Sequence, residues 1–336
     1  MFEQALSAKL CAALALTLAM TSPGALAGAC GRLELHAHRG AFDQPENSVP
    51  AAMRAMDMKF DAVELDLRLL KDNAWVLHHD PLVGRVVKPD LGTAIGQKIK
   101  APEALTSAAW ANAEVLDRSG MPTQVRAPFL SELLKATVLR VGPPGRLNLE
   151  IKSKVSCDKL KVLDGLLAAS LKPGAWMYSG LDLDTLACLR DANSQVYLGV
   201  IVGPEREASH VNVEKLQALA KRFSPRADQA ITDSSKAYEG MFNRQHLNEN
   251  SMDLIAHQLS PMGFHVDAAT LAKAPNLLKY AKSQKAKVFS YSTQGNASHL
   301  NNLSRLKAAT GNLPDGMIID GRQDQFCDQL RIISPS

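Results

Sequence analysis

The chain has 336 residues, 46% of them hydrophobic and 21% charged, with 38 Lys plus Arg against 34 Asp plus Glu for a formal net charge of +4. That is the composition of a chain that folds, which excludes disorder for its bulk. No dense basic block accompanies the small positive charge, so the electrostatic footprint of a nucleic-acid binder is excluded as well.

Residues 10–20, LCAALALTLAM, form an apolar run preceded by Lys9 and followed by Thr21, Ser22, Pro23 and the small-residue pattern Ala25-Leu26-Ala27. The run is too short to span a bilayer as a helix, and the pattern predicts a signal peptide over residues 1–27. Cleavage leaves residues 28–336, with no further stretch able to cross a membrane. Export to a periplasm or to the outside is expected, with lipid attachment at Cys30 as a minor alternative. Cys30, Cys157, Cys188 and Cys327 then remain, an even number in an oxidising compartment. Of the pairings open to them, the nested arrangement 30–327 and 157–188 is favoured, and four free thiols are the alternative.

Short aliphatic and β-branched runs follow in order at 33–38, 62–70, 74–80, 146–152, 175–179, 196–202, 262–266, 287–293 and 316–320, alternating with helical stretches such as 49–59 and 129–140. Only Lys71, Asp72 and Asn73 separate the second run from the third, too few for a parallel crossover, so these two must form an antiparallel hairpin. Setting the third run aside leaves eight strands joined by helices. The expected fold is α/β, a (β/α)8 barrel in one domain, with a β-hairpin and a small insertion after strand 2. Residues 81–127 and 203–260 are expected as excursions over one end of it.

Alternation along the strands carries the functional signal. In AVELDLRLL, Val63, Leu65 and Leu67 share one face, suited to the outer helices, whereas Glu64, Asp66 and Arg68 share the other and point into the barrel. In RLNLEIK, Asn148, Glu150 and Lys152 likewise face in. Carboxylates buried there without partners cost several kcal/mol each, so something cationic must compensate them. One candidate is an ion-pair network with Arg68, Lys152 or Arg146. The other is a hard divalent cation, Ca²⁺ or Mg²⁺, on Glu64, Asp66 and Glu150, an all-oxygen set that suits zinc poorly. The first strand sends Glu34, His36 and His38 to one face, with His38 at its C-terminal end followed by Arg39, and the hairpin returns His78, His79 and Asp80 to the same mouth. Two imidazoles beside a cation can divide acid and base work, and an Arg and a Lys suit a phosphate.

These residues, in this order, resemble the signature of the glycerophosphodiester phosphodiesterase family. His38-Arg39-Gly40 with Pro45-Glu46-Asn47-Ser48 is similar to its opening motif, Glu64-x-Asp66 to its metal-binding strand, His79-Asp80-Pro81 to the end of its hairpin, and Glu150-Ile151-Lys152 to its third metal carboxylate and active-site lysine. The resemblance implies a (β/α)8 barrel and metal-dependent hydrolysis of a small-molecule glycerophosphodiester to glycerol 3-phosphate and an alcohol. It implies catalytic His38 and His79 rather than His78, with Arg39 and Lys152 on the substrate and one divalent cation on Glu64, Asp66 and Glu150. It leaves open which histidine is the acid, and whether water or a substrate hydroxyl attacks. Tyr178-Ser179-Gly180, Tyr291-Ser292-Thr293-Gln294 and Ile319-Asp320 depart from the family's Ser-Ser-Phe, Trp-Thr-Val-Asn and Thr-Asp, at positions expected to line the mouth. The competing expectations are a cyclising phospholipase of type C or D and a non-catalytic polyol-phosphate binding protein. No protein partner is evident.

Overall fold

The computed structural model describes residues 30–31, 33–88, 100–117, 119–142, 145–203 and 249–333. The predicted signal peptide, and most of the 203–260 excursion, lie outside the described residues.

Eight parallel strands close a barrel: β1 (Glu34–Ala37), β2 (Ala62–Leu69), β7 (Arg146–Ile151), β8 (Trp176–Gly180), β9 (Leu198–Val202), β10 (Met262–Asp267), β11 (Lys287–Tyr291) and β12 (Gly316–Ile319). They pair in chain order, and β1 closes the ring by pairing with both β12 and β2. The expected hairpin is present, with β3 (Trp75–Leu77) running antiparallel to β2. Ten helices surround these strands among the described residues: α1 (Val49–Asp57), α2 (Ser107–Ala111), α3 (Leu130–Thr137), α4 (Cys157–Ser170), α5 (Leu183–Ala192), α6 (Glu249–Leu259), α7 (Ala268–Lys273), α8 (Asn276–Ser283), α9 (Asn296–Thr310) and α10 (Gln323–Ile333). Helix α6 leads directly into β10, so the end of the second predicted excursion is a regular barrel helix.

The two faces of each strand separate as the alternation requires. Leu65, Leu67, Leu147 and Leu149 are fully buried in the layer between strands and helices. The interior holds His36, Asn148, Ser179, His265 and Phe289 in place of the usual aliphatic filling. Gly199 makes that possible, since a Cβ there would lie 2.4 Å from the His265 ring.

The 81–127 insertion carries a three-stranded antiparallel sheet, β4 (Val87–Lys88), β5 (Glu114–Leu116) and β6 (Pro122–Arg126), over its own small core of Val83, Val86, Leu105 and Trp110. Both predicted helices are shorter than the apolar pattern. Lys59, with φ of +63°, follows the cap of α1 at Met58, and Glu132 fixes the start of α3 by accepting from the Phe129 N–H at 2.9 Å. The disulfides are nested as favoured, Cys30–Cys327 and Cys157–Cys188, each with Cα atoms 5.0 Å apart. The Cys30 sulfur is therefore committed to the bridge, which excludes lipid on it in this form.

Candidate active site

Register brings the predicted carboxylates together. Asp66 of β2 lies opposite Glu150 of β7, and Glu64 opposite Asn148, so all three acids project inward near the C-terminal ends of adjacent strands. Glu64, Asp66 and Glu150 are buried, and each offers a carboxylate oxygen within 4.8 Å of the others. Two cations reach them. Lys152 Nζ lies 3.3 Å from Asp66 and also contacts Glu150, while Arg39 Nε lies 3.6 Å from Asp66. Asn47 completes the Asp66 shell, donating from Nδ2 at 2.7 Å and accepting the Asp66 N–H at 2.9 Å.

Of the three acids, Glu64 is the least satisfied. Its Oε2 accepts the Arg39 N–H at 2.8 Å, while its buried Oε1 has no hydrogen-bond partner among the described residues. Burial and the neighbouring Asp66 push its carboxyl up to about 8, and burial helped by Asp66 raises Glu150 despite Lys152. Asp66 goes the other way, because Lys152, His79 and Arg39 outweigh its burial and hold it well below the usual range. Three acids against two cations, with one buried carboxylate oxygen unpartnered among the described residues, form a donor set that fits one hard divalent cation. The ion-pair alternative accounts for part of the charge only. Lys152 takes part, whereas Arg68 is engaged by Glu103 at 2.8 Å and by the His79 carbonyl, and Arg146 pairs with Glu34 lower down.

The loop after β1 is shaped around this cluster. Arg39 and Asn47 are non-glycine residues in the left-handed region, with φ of 55° and 53°, and the Asn47 N–H donates to the Arg39 carbonyl at 2.9 Å. Such backbone persists only where the surroundings over-determine it. Gly40 is required here, since a Cβ would sit 2.6 Å from that of Ala51 on α1.

Both predicted histidines are half-buried at the mouth, and a carboxylate holds Nδ1 of each. His38 meets Asp320 Oδ1 at 3.0 Å, and His79 meets Asp80 Oδ1 at 2.8 Å. Burial works against a charged His38, but Asp320 and Glu64 outweigh it and raise its pKa. Burial together with Arg39 and Lys152 lowers His79 to about 3. His78 is fully buried against Trp110 and engages the Leu82 carbonyl at 3.2 Å, away from the cluster. Glu34 and His36 pair with each other deeper in the barrel, at 3.1 Å.

The departures divide. Tyr178 does not line the mouth: it is an outward residue of β8, fully buried, and its hydroxyl donates to Asp164 on α4 at 3.0 Å. Tyr291 stays at the mouth, donating to the Val202 carbonyl at 2.8 Å. Asp320, expected only to line the mouth, meets His38 there, and Arg85 is given no role by the sequence. Asp320 had a signal, an acid directly after the last strand of a barrel that must close on His38.

Residues 38–321 match the Glycerophosphoryl diester phosphodiesterase family. The chain belongs to this family. The match starts at His38 and ends one residue beyond Asp320, so the hydrogen-bonded pair at the barrel seam brackets the family region. A glycerophosphodiester phosphodiesterase from Caldanaerobacter subterraneus subsp. tengcongensis is 46% identical over 50 residues, which is 15% of this chain and only 21% of that relative. Solved structures share the family barrel at low identity. One from Silicibacter pomeroyi DSS-3 is 15% identical with a TM-score of 0.63, covering 90% of this chain and 92% of the other. A glycerophosphodiester phosphodiesterase from Parabacteroides distasonis is 13% identical with a TM-score of 0.58, covering 90% and 97%. An Oleispira antarctica phosphodiesterase in complex with the product sn-glycerol-3-phosphate is 15% identical with a TM-score of 0.57, covering 88% and 96%.

Proposed function

We propose that this phosphodiesterase-family chain hydrolyses a glycerophosphodiester to glycerol 3-phosphate and an alcohol, using one divalent cation, Ca²⁺ or Mg²⁺, held by Glu64, Asp66 and Glu150. The observation that carries this reading is the under-compensated carboxylate cluster beside two histidines, each fixed at Nδ1 by its own carboxylate. The product bound by the Oleispira antarctica relative supports the choice of substrate.

When bound, the cation supplies Lewis-acid polarisation of the phosphoryl oxygens and offsets charge developing there. Asp80 lies well below the usual carboxylate range, because His79 and Arg85 outweigh its burial, so it accepts only and His79 carries its proton on Nδ1. The free Nε2 of neutral His79 then takes the proton of the attacking water or hydroxyl. His38, favoured in its charged form by Asp320, gives its Nε2 proton to the leaving alkoxide. Arg39 and Lys152, both at the carboxylate cluster, hold the non-bridging phosphoryl oxygens. Residues 28–336 act as a single domain in this reading, and the two disulfides support an exported protein, periplasmic or secreted. Among the described residues, no helix is long and apolar enough to cross a membrane.

Phosphorus NMR of the protein with glycerophosphocholine tests the proposal. Glycerol 3-phosphate should form with Ca²⁺ or Mg²⁺ and cease to form with chelator. A cyclic phosphate accumulating from lysophosphatidylcholine would assign a cyclising phospholipase instead, and binding without turnover of either substrate would assign a polyol-phosphate binding protein.

A further inference from the structure

We propose that Arg85, which lies in the insertion, is a positioning residue for both sides of the reaction, orienting His79 through Asp80 and Arg39 through Glu46. The inference rests on the hydrolytic reading above for the roles of His79 and Arg39, and on the following geometry for the link between them.

The guanidinium of Arg85 grips two carboxylates, each through two hydrogen bonds. It donates to Asp80 from Nε at 2.6 Å and from Nη2 at 2.9 Å, and to Glu46 from Nη1 at 3.0 Å and Nη2 at 2.6 Å. Each carboxylate holds one predicted site residue with the same oxygen that Nη2 engages. Asp80 Oδ1 meets His79 Nδ1 at 2.8 Å, and Glu46 Oε1 accepts from Arg39 Nη1 at 3.0 Å. One planar fork therefore links His79 to Arg39 through the chain His79, Asp80, Arg85, Glu46, Arg39, and ties the loop after β1, the end of the hairpin and the insertion together. The His79 backbone is fixed independently, its carbonyl accepting from Arg68 at 2.9 and 3.2 Å, so the freedom left to Arg85 is the orientation of the imidazole.

Without Arg85, Asp80 and Glu46 would face each other as like charges with a shared cation removed. Asp80 would no longer be held against Nδ1, and Glu46 would be free to draw Arg39 away from Asp66. A lysine cannot replace the fork, because a single ammonium cannot donate in parallel to two carboxylates in one plane. Arg85 is about one-third exposed, so a small cation can reach its place from solvent.

The test compares wild type, Arg85→Ala and Arg85→Lys in the intact metal-loaded protein. Misplacement of this kind predicts a fall in kcat of about 100-fold in Arg85→Ala. Arg85→Lys should stay within a few-fold of that level, and added guanidinium ion should restore Arg85→Ala at least tenfold while leaving wild type unaffected. Nitrogen-15 NMR of the His79 ring should show the Nδ1–H tautomer in wild type and a mixture in both variants. Wild-type turnover in Arg85→Lys, or an unrescued loss in Arg85→Ala with the His79 tautomer intact, would overturn the proposal. Should Arg85→Ala fail to fold, Arg85→Lys carries the test alone. The NMR readout needs no substrate, so a wild type inactive on every phosphodiester would refute the hydrolytic reading and still decide whether Arg85 orients His79.

Discussion

The barrel axis holds two ion clusters on the inward faces of neighbouring strands, and they are built on opposite principles. Near the base, Glu34 is matched by Arg146, by Lys287 at 3.1 Å and by His36 at 3.1 Å, and these partners outweigh its burial and hold it far below the usual carboxylate range. At the mouth, three carboxylates share Lys152 and Arg39, one oxygen has no partner among the described residues, and Glu64 is pushed up to about 8 by burial and by Asp66. The lower cluster is complete and serves the fold. Among the described residues the upper one is short of a positive charge, and that deficit is what the proposed cation would fill.

The sharpest way to break this contrast is at the histidines. His79→Ala and His38→Ala should each lower kcat by about 10²–10⁴-fold with circular dichroism unchanged, whereas an interior imidazole such as His265 should matter to stability alone. Near-normal turnover in either mouth variant would remove that histidine from the mechanism. Next come paired carboxylate variants. Glu64→Gln should weaken divalent-cation binding, read by calorimetry, by about 100-fold or more, the upper end of what even an outer-sphere partner contributes. Glu34→Gln should leave metal binding alone and lower folding stability by about 1–3 kcal/mol, since it strands buried cationic partners. Equal effects on both quantities would abolish the distinction between the clusters.

The pH dependence of stability should have opposite signs at the two ends. Glu64 is raised from 4.5 to about 8, so in metal-free protein the folded state binds the extra proton and stability falls as pH rises across that window. Glu34 is depressed, so its contribution is present above its unfolded value of 4.5 and is lost as pH falls below it. Adding Ca²⁺ or Mg²⁺ should flatten the first slope and leave the second, as read by thermal melts. The smallest expected effect is at Asp320. That carboxylate raises His38, so Asp320→Asn should move the alkaline limb of the kcat/KM profile to lower pH by about one unit. A shift of the acid limb instead would make His38 the base.

Much of the site was legible because strand alternation is a local property. The pattern of β2 and β7 places Glu64, Asp66 and Glu150 inside, and the three-residue gap after β2 forces the hairpin that delivers His79. Alternation alone could not choose between His78 and His79, since both lie beyond the last paired residue, Leu77, and the chosen one rested on the motif resemblance. Tyr178 was misplaced because a motif comparison carries no facing, whereas the register of Ser179 against Glu150 turns Tyr178 outward. Arg85 and the Arg68–Glu103 pair were not legible at all. Each depends on how the insertion folds back over the mouth, joining residues 39 and 35 positions apart with no periodicity to announce it.

The barrel closes between its first and last strands, and the same seam is held three times over: by the β1–β12 ladder, by His38 against Asp320, and by Cys30–Cys327 just outside it. The covalent bond turns the stretch from Cys30 to Cys327 into a molecular loop whose two ends cannot drift apart. A protease that cuts this loop once therefore releases no fragment, and the nicked protein still migrates as one piece until it is reduced. Biosynthesis inherits the same condition, because a nascent chain that has not yet reached β12 and α10 has neither the partner of His38 nor the clasp.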